Sequence, residues 1–305
     1  MPTKKRKPAK RRPKQIKHIV VVSDLHAGSS VALCPPAIEL DDGGVYQYSS
    51  YQSELYGWWA EFWESWVPRA TSGEPYAVVI NGDIIDGAHH NTSTLVSSNI
   101  ADQARLAKTL LRPVREKTSR LFIVRGTEAH AGESGREEER IAEELDCVGP
   151  RDAVTASHWE LQLLLNEHLI DFSHHIGVTG SSAFESSALC RELTNLFTES
   201  GQWNKPPPYM AVRSHRHRYC QVTLPADFGE TTCIVTPAWQ LHTPFCRRLS
   251  NPRVPQIGGI CISPHGDELI AQKFYHTPER RPPISVDGKE AKWLKERYGI
   301  QPRML

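Results

Sequence analysis

The sequence predicts an α/β protein in which a parallel β-α-β-α-β half is followed by a second, mostly antiparallel sheet. Short apolar runs rich in β-branched residues alternate with helical patterns up to about residue 125, as in strands buried on both faces. Beyond residue 157 the pattern changes to short strands joined by turns. Asp and His residues directly follow several of these runs, at the strand ends where ligand sites of open α/β sheets form.

The first half supplies three strands and two crossover helices. The first helix, residues 51–67, carries four tryptophans at helical spacing, which predicts an aromatic stripe packed on the sheet, and Pro68 is expected to end it. The second helix spans about residues 98–116 and has a continuous apolar face. The three strands are predicted at residues 19–23, 77–81 and 121–125.

The second half supplies further strands and one helix, at residues 184–198. The acidic stretch at residues 133–145 that precedes it is helical by propensity, and its carboxylates are expected to face solvent. The strands of the second sheet are predicted at residues 159–165, 169–173, 210–214, 219–224, 231–236, 259–263 and 269–274.

Composition limits the class of protein. With 305 residues, 39% apolar and 23% charged, the chain can bury the core of one large domain or two small ones. It contains neither an apolar run of about 20 residues nor a secretory h-region, so we expect a cytoplasmic protein with no membrane span. The seven scattered cysteines lack a C-x-x-C pair and are expected to be reduced thiols.

Charge is unevenly divided along the chain. Residues 1–17 carry a charge of +9 with no acid, whereas the remainder carries −8. This tail is too polar to fold and is predicted to be disordered, with residues 18–281 forming the domain and residues 282–305 an extension with a short helix. Three roles for the tail stay open: phosphate neutralisation on nucleic acid or another acidic partner, a nuclear-localisation-like address, or a solubilising extension.

Five short groups of carboxylate and imidazole residues follow apolar runs. Oxygen and imidazole donors of this kind suit Zn, Mn, Fe or Ni better than Ca, and one carboxylate can bridge two ions. The pattern predicts one metal site divided among several strand ends. The groups are Asp24-Leu25-His26, Asp83-Ile84-Ile85-Asp86, Glu128-Ala129-His130, His174-His175 and His215-Arg216-His217.

The order D-x-H, G-D-x-x-D, a glycine turn with a His, an isolated His and then H-x-H resembles the calcineurin-like metallophosphoesterase family over roughly residues 18–220. The resemblance implies a β-sandwich of two mixed sheets flanked by helices. It also implies two divalent ions, among Mn, Zn, Fe, Ni and Mg, and hydrolysis of a phosphate ester by a metal-bound hydroxide. A phosphodiester is the expected substrate, with nucleic acid as one candidate. The alternatives are a phosphomonoesterase acting on a nucleotide or phosphoprotein, and a catalytically silent metal-binding module.

Family roles carry over to individual positions of this chain. Asp86 matches the last carboxylate of G-D-x-x-D and is expected to orient a ligand or loop. For the second metal, His174 is preferred over His175 because it stands at the immediate end of its strand, and both stay candidates. The resemblance assigns Asp24, His26 and His217 to the first metal, Asp83 to both metals, and His215 with His174 or His175 to the second.

The turn after the third strand departs from the family pattern. The family has G-N-H-E or G-N-H-D there, whereas this chain reads Gly126-Thr127-Glu128-Ala129-His130. Thr127 is a poorer ligand than Asn, so Glu128 or a water is expected to complete the second metal, and His130 to supply the imidazole beside the leaving group. This departure, with the long loop at residues 27–50 and the aromatic helix, resembles variant phosphoesterases of bacteriophage genomes.

Four further residues are candidate substrate contacts. His89 and His90 follow the G-D-x-x-D turn closely enough to line the site or to lie on the loop surface. Arg125 and Arg216 flank ligand positions and could hold a phosphate by a bidentate contact. Arg216 could equally point away, because successive side chains of a strand face opposite sides.

Overall fold

The computed structural model describes residues 15–89, 92–177, 184–248 and 254–278, and the isolated positions 286, 292, 295 and 296. Its helices are α1 (Ser50–Glu61), a π-helical turn (Phe62–Trp66), α2 (Val67–Ala70), α3 (Ile100–Lys117), α4 (Glu128–Ala131), a 3₁₀ turn (Glu133–Gly135), α5 (Arg136–Glu144), α6 (Glu185–Gln202) and α7 (Pro244–Arg248). Its strands are β1 (His18–Val22), β2 (Ala37–Glu39), β3 (Val45–Gln47), β4 (Tyr76–Asn81), β5 (Arg120–Val124), β6 (Leu161–Leu165), β7 (His168–Phe172), β8 (Met210–Arg213), β9 (Cys220–Ala226), β10 (Gly229–Val235), β11 (Ile257–His265) and β12 (Glu268–His276).

Ten of these strands form two mixed sheets flanked by helices, which confirms the predicted fold class. The first sheet has the order β12-β11-β1-β4-β5, and its β1, β4 and β5 are parallel as predicted. The second sheet has the order β6-β7-β8-β10-β9. The remaining pair, β2 and β3, is a small hairpin within the long loop after β1.

Two predictions about the sheets were wrong. Residues 259–263 and 269–274 belong to the first sheet, because β11 pairs antiparallel with β1 and β12 extends it. This pairing satisfies the backbone groups along the side of β1 that faces away from β4. The second sheet is not mostly antiparallel, since β7-β8 and β8-β10 are parallel pairs whose strands point their carboxyl ends the same way.

Three apolar layers hold the sheets and helices together. Alternate residues of β1 explain the layering: Val20 and Val22 face the cluster containing α1, α3 and α5, and Ile19 and Val21 face the cluster shared with the second sheet. A smaller cluster joins α6 to the outer face of the second sheet. Burying each such side chain stabilises the fold by about 1.5–3 kcal/mol, so the strand ends are carried on a rigid support.

The aromatic helix packs as predicted but does not end at Pro68. Trp59, Phe62 and Trp63 are buried in the first-sheet core. The chain widens into the π-helical turn and then continues as α2 to Ala70, with Pro68 in the first turn of that segment. A proline is tolerated there because the first turn of a helix has amide groups without helical acceptors.

The chain ends lie mostly outside the described residues. The predicted tail at residues 1–17 falls there except for its last three residues, of which Ile16 is half-buried against the inter-sheet core and Lys17 bonds Glu74. The predicted extension at residues 282–305 also lies outside them, apart from four positions. Within the described residues, no helix has the length and apolar content that a membrane crossing needs.

Candidate metal centre

Among the residues that the structure describes, three groups of His and Asp side chains meet where strands of both sheets end. In each group the ligand atoms lie within 4.8 Å of one another. Residues after β1, β4, β5, β7 and β8 contribute, so the five predicted strand ends open on the same side of the fold. We call the groups the Asp24 cluster (Asp24, His26, His217), the Asp83 cluster (Asp83, His174, His215) and the Asp86 cluster (His26, Asp86, His130).

The Asp24 cluster is almost fully enclosed. Asp24 Oδ1 lies 3.3 Å from His217 Nε2, and His26 Nε2 lies 3.2 Å from the same nitrogen. The other carboxylate oxygen of Asp24 accepts a hydrogen bond from Ser23 Oγ at 2.6 Å. Among the described residues, no group forms a hydrogen bond with the buried Oδ1, which leaves this oxygen available to a cation.

The Asp83 cluster distinguishes the two neighbouring histidines. His174 is buried and places Nε2 3.0 Å from Asp83 Oδ2, while its Nδ1 bonds the backbone oxygen of Asn81 at 2.7 Å. Because a carbonyl oxygen accepts, Nδ1 carries a proton, and Nε2 is the atom that can bind a cation once its own proton has left. His215 Nδ1 lies 3.9 Å from the same Asp83 oxygen. His175 is exposed and belongs to none of the three clusters.

Five of the clustered residues adopt a left-handed backbone that side chains other than glycine rarely adopt. Their φ angles are all positive and range from 45° to 71°. In D-x-H and H-x-H the conformation recurs at every second residue, so both ligands of a pair turn out of the strand toward the same centre. Such strain persists where the surroundings enforce it, and it clusters at functional sites. The residues are Asp24, His26, Asp83, His215 and His217.

Two glycines allow the ligand loops to approach each other. A side chain at Gly82, which has φ +83°, would collide with the His174 ring and with the backbone of Gly126. A side chain at Gly126 would collide with the backbone and carboxylate of Asp83. The glycine of G-D-x-x-D and the glycine of the β5 turn are therefore required by the packing of these two turns.

Histidine side chains balance the negative charge of the buried aspartates in the centre. Burial raises the pKa of Asp24 and Asp83, but His217 and His174 beside Asp24, and His174 beside Asp83, outweigh burial and hold both pKa values below the usual range. Burial lowers the pKa of His174, whereas Asp83 and Asp24 raise it to about 10. A proton on His174 thus neutralises buried carboxylates, and a divalent cation would replace it.

The Asp86 cluster lies beside the Asp24 cluster and shares His26 with it. Asp86 Oδ1 is 3.2 Å from His26 Nδ1, a position from which a carboxylate can orient that ring. His130 Nδ1 bonds the backbone oxygen of Asp86 at 2.5 Å, and burial together with His26 lowers the pKa of His130 to about 4. His130 is therefore a neutral imidazole in this protein. The His89 ring packs edge-on against His130, with centroids 4.4 Å apart.

Gln240, which sequence reasoning did not single out, supports this arrangement. Its Nε2 donates to Asp86 Oδ1 at 3.1 Å, and the residue is buried in the loop after β10. Its backbone also bridges to Ala32 in the long loop after the first ligand pair. No local pattern marks Gln240, because the contact joins positions 154 residues apart in the chain.

The altered turn after β5 contacts the Asp83 cluster through hydrogen-bond donors. The backbone N–H and the hydroxyl of Thr127 both donate to Asp83 Oδ1, at 2.7 and 3.0 Å. Thr127 therefore holds the carboxylate rather than offering an oxygen to the second metal. Glu128, expected to complete that metal, is exposed at the start of α4 and belongs to none of the three clusters.

The structure does not direct Arg125 toward the centre. Its guanidinium is buried and bonds Ser157 Oγ at 2.7 Å, the backbone oxygen of Ser134 at 2.8 Å and Glu139 Oε2 at 3.0 Å. All of its three nitrogens are thus engaged in tying the 3₁₀ turn and α5 to the turn that precedes β6. The prediction that Arg125 contacts substrate does not fit this geometry.

Three further candidate substrate contacts were predicted: Arg216, His89 and His90. Arg216, between the two clustered histidines of H-x-H, donates to the backbone oxygen of Gly177. His89 stands near the Asp86 cluster, with Nε2 3.9 Å from Asp86 Oδ1. His90 lies outside the described residues.

Comparisons with known proteins give structural likenesses only. No protein-family model and no curated protein match the chain. Among solved structures, the chain is similar to a metallophosphoesterase from Sphaerobacter thermophilus (11% identity, 93% of this chain and 95% of that chain, TM-score 0.35). It is also similar to wild-type Vps29 complexed with zinc from Entamoeba histolytica (9%, 85% and 98%, 0.35) and to a predicted phosphoesterase from Streptococcus pneumoniae (11%, 85% and 98%, 0.31). Likenesses of this size transfer no residue role, so the centre is argued from its own geometry.

Proposed function

We propose that this protein is a metal-dependent phosphoesterase that holds two divalent cations. The observation that carries the proposal is the adjacency of the Asp24 and Asp83 clusters, because His174 Nε2 of one lies 3.9 Å from Asp24 Oδ1 of the other. Two cations about 3.5–4 Å apart need two donor groups this close. The buried Asp24 Oδ1 and His174 Nε2, which make no hydrogen bond, fit such a pair.

In this proposal each side chain has a defined task. Asp24, His26 and His217 would hold one cation, His174 and His215 the other, and Asp83 would bridge the two. When bound, two cations supply Lewis-acid stabilisation of the charge that develops on a phosphoryl group and make water a nucleophile near neutral pH.

His130 has a separate task in the proposal. Its Nδ1 is fixed on the backbone of Asp86, so as a neutral imidazole it presents Nε2, an atom that can accept and return a proton. Asp86, held by Gln240, would keep both His26 and His130 in orientation.

We propose a phosphodiester as the substrate, with nucleic acid as the first candidate. The support is the charge of +9 on residues 1–17, which would bring a chain whose remainder carries −8 to a polyanion. A phosphomonoester of a nucleotide or phosphoprotein is the competing substrate. Mn, Zn, Fe, Ni and Mg are the candidate cations, since the donors are oxygen and imidazole.

One observation favours a second candidate function, a catalytically silent metal-binding module. Thr127 donates two hydrogen bonds to Asp83 where the family pattern has a ligand, so the second cation loses one donor. A loosely held second cation would weaken the clamp on the phosphoryl group while leaving the first cation in place.

A metal-screened assay separates these functions. Hydrolysis of a chromogenic diester and a chromogenic monoester is measured with Mn²⁺, Ni²⁺, Co²⁺, Mg²⁺ and Zn²⁺. Turnover that disappears in Asp83→Ala and persists in Asp152→Ala, an exposed aspartate outside the three clusters, supports the enzyme, and the preferred ester identifies the substrate class. Metal binding without turnover on either ester would support the silent module.

A further inference from the structure

Glu138 is a buried carboxylate directly behind the metal centre, although its acidic helix is predicted to face solvent. It lies in α5 with no exposed surface. Its Oε1 accepts a hydrogen bond from the backbone N–H of Ile84 at 2.9 Å, and its Oε2 accepts one from the backbone N–H of Gly126 at 2.5 Å. One side chain therefore joins the two turns that follow β4 and β5.

Both of these turns belong to the Asp83 cluster or support it. Ile84 directly follows Asp83, whose backbone is held at φ +52°. Gly126 directly precedes Thr127, which donates twice to Asp83 Oδ1. Glu138 thus fixes the spacing between the proposed bridging carboxylate and the residue that orients it.

The negative charge of Glu138 destabilises the metal-free fold because it is buried. Burial and the nearby Asp83 raise its pKa, the two backbone N–H groups offset only part of this rise, and the resulting pKa is about 7. A second negative group beside the buried aspartates disfavours the fold without metal. The same charge becomes favourable when cations occupy the clusters, since supporting carboxylates raise the affinity of metal sites.

We propose that Glu138 is a positioning residue of the metal centre, acting through the backbone of Ile84 and Gly126 to hold Asp83 and Thr127 in register. The inference rests on the proposed metal centre and extends it to a residue that contacts neither substrate nor cation. A residue of purely structural function would stabilise the protein with and without metal. Glu138 should instead favour the metal-loaded protein selectively.

The test compares Glu138→Gln with Glu143→Gln, an exposed glutamate of the same helix. Calorimetric titration with Mn²⁺ alone should show at least about tenfold weaker binding in Glu138→Gln and unchanged binding in Glu143→Gln. In a chelator at pH 8, Glu138→Gln should lower the unfolding midpoint less than it does with saturating Mn²⁺, because removing the buried charge offsets the one backbone hydrogen bond that the Gln amide nitrogen cannot accept.

Two results would overturn the role of Glu138: Mn²⁺ binding within about twofold of the wild type, or a fall in the unfolding midpoint that is as large in chelator as with saturating Mn²⁺. If Glu138→Gln does not fold, Glu138→Asp, which keeps the charge but is too short to span both amides, takes its place in the Mn²⁺ titration with the same expected loss. A wild-type protein that binds none of Mn²⁺, Zn²⁺ and Ni²⁺ would instead reject the metal centre itself, and this outcome is distinct from a failure of Glu138.

Discussion

The Asp24 and Asp83 clusters use the same donor atoms but differ in how they are supported. In the Asp24 cluster the support is layered: Gln240 holds Asp86, Asp86 faces the His26 ring, and the His26 side chain is 3% exposed. In the Asp83 cluster the His215 side chain is 45% exposed and Thr127 supplies donors rather than a ligand. A rigid, desolvated donor set binds a cation more tightly than an exposed one, so the Asp24 cluster should fill first.

Removing the shared carboxylate should have the largest effect. Asp83→Ala is expected to lower hydrolysis of a chromogenic diester by more than about 10⁴-fold, because the proposed bridge positions both cations. His130→Ala should cost about 10²- to 10⁴-fold, the range for a proton-transferring group, and should retain metal. Turnover with Mn²⁺ and the bound metal content are measured for both variants. If His130→Ala lost metal as well, His130 would be a ligand and the Asp86 cluster a third metal position.

Acidification should weaken metal binding steeply. The His174 pKa of about 10 means that the metal-free protein carries a proton where the cation binds, so binding releases about one proton below that pH and affinity falls up to about tenfold per pH unit. Calorimetry in two buffers of different ionisation enthalpy measures this proton. The release should fall in His174→Asn and stay unchanged in His175→Asn, and the reverse pattern would make His175 the ligand.

The raised pKa of His174 also predicts how the stability of the metal-free protein changes at alkaline pH. The pKa of His174 is raised above its ordinary value of 6.5, so its stabilising charge is fully present below pH 6.5 and is lost as pH rises toward about 10. In chelator the unfolding midpoint should therefore fall across this window in the wild type and fall less in His174→Asn. An equal decline in both proteins would mean that His174 is not the group responsible.

Introducing the amide of the family pattern at position 127 should reduce the difference in Mn²⁺ affinity between the two clusters. Thr127→Asn offers an oxygen to the second cation and is expected to tighten the second binding step for Mn²⁺ about tenfold. Thr127→Val, which removes the hydroxyl bond to Asp83 without adding a ligand, is the matched control and should weaken that step. A second step that is unchanged in Thr127→Asn would contradict the view that residue 127 limits the Asp83 cluster.

Removing the support of the Asp24 cluster should reduce the difference in Mn²⁺ affinity between the two clusters by weakening the first binding step. Gln240→Leu deletes the donor to Asp86 Oδ1 and is expected to weaken the first Mn²⁺ step by up to about tenfold, with little change in the second. Gln162→Leu removes a similar amide–carboxylate bond, to Asp171 in the second sheet, and should leave both steps unchanged. Equal losses from the two glutamine variants would show a general destabilisation.

Strand ends could be predicted from the sequence because β-branched runs and the Asp and His residues behind them are local signals. The runs before Asp24, Asp83 and His174 each became a strand, and those side chains meet in the structure. Sheet membership could not be predicted, because nothing local distinguishes β11, which completes the first sheet, from the strands of the second.

Supporting residues were missed for a related reason. Gln240 and Glu138 act across 154 and 54 residues of chain respectively, and in sequence each looks like an ordinary polar residue. The left-handed backbone at Asp24 and Asp83 also has no signal in composition, since packing around each turn enforces it. Sequence thus predicted which Asp and His side chains meet better than it predicted the residues that support them.

Deleting residues 1–14 should affect neither cluster and leave hydrolysis of a small chromogenic ester unchanged. The deletion stops there because Ile16 packs on the inter-sheet core and Lys17 bonds Glu74. The removed segment carries eight Lys and Arg and no acid, so binding to a DNA or RNA oligonucleotide should weaken, and the loss should fade as salt rises. Equal oligonucleotide affinity of both proteins at low salt would show that the tail is a solubiliser or an address, and nucleic acid would lose its main support as the substrate.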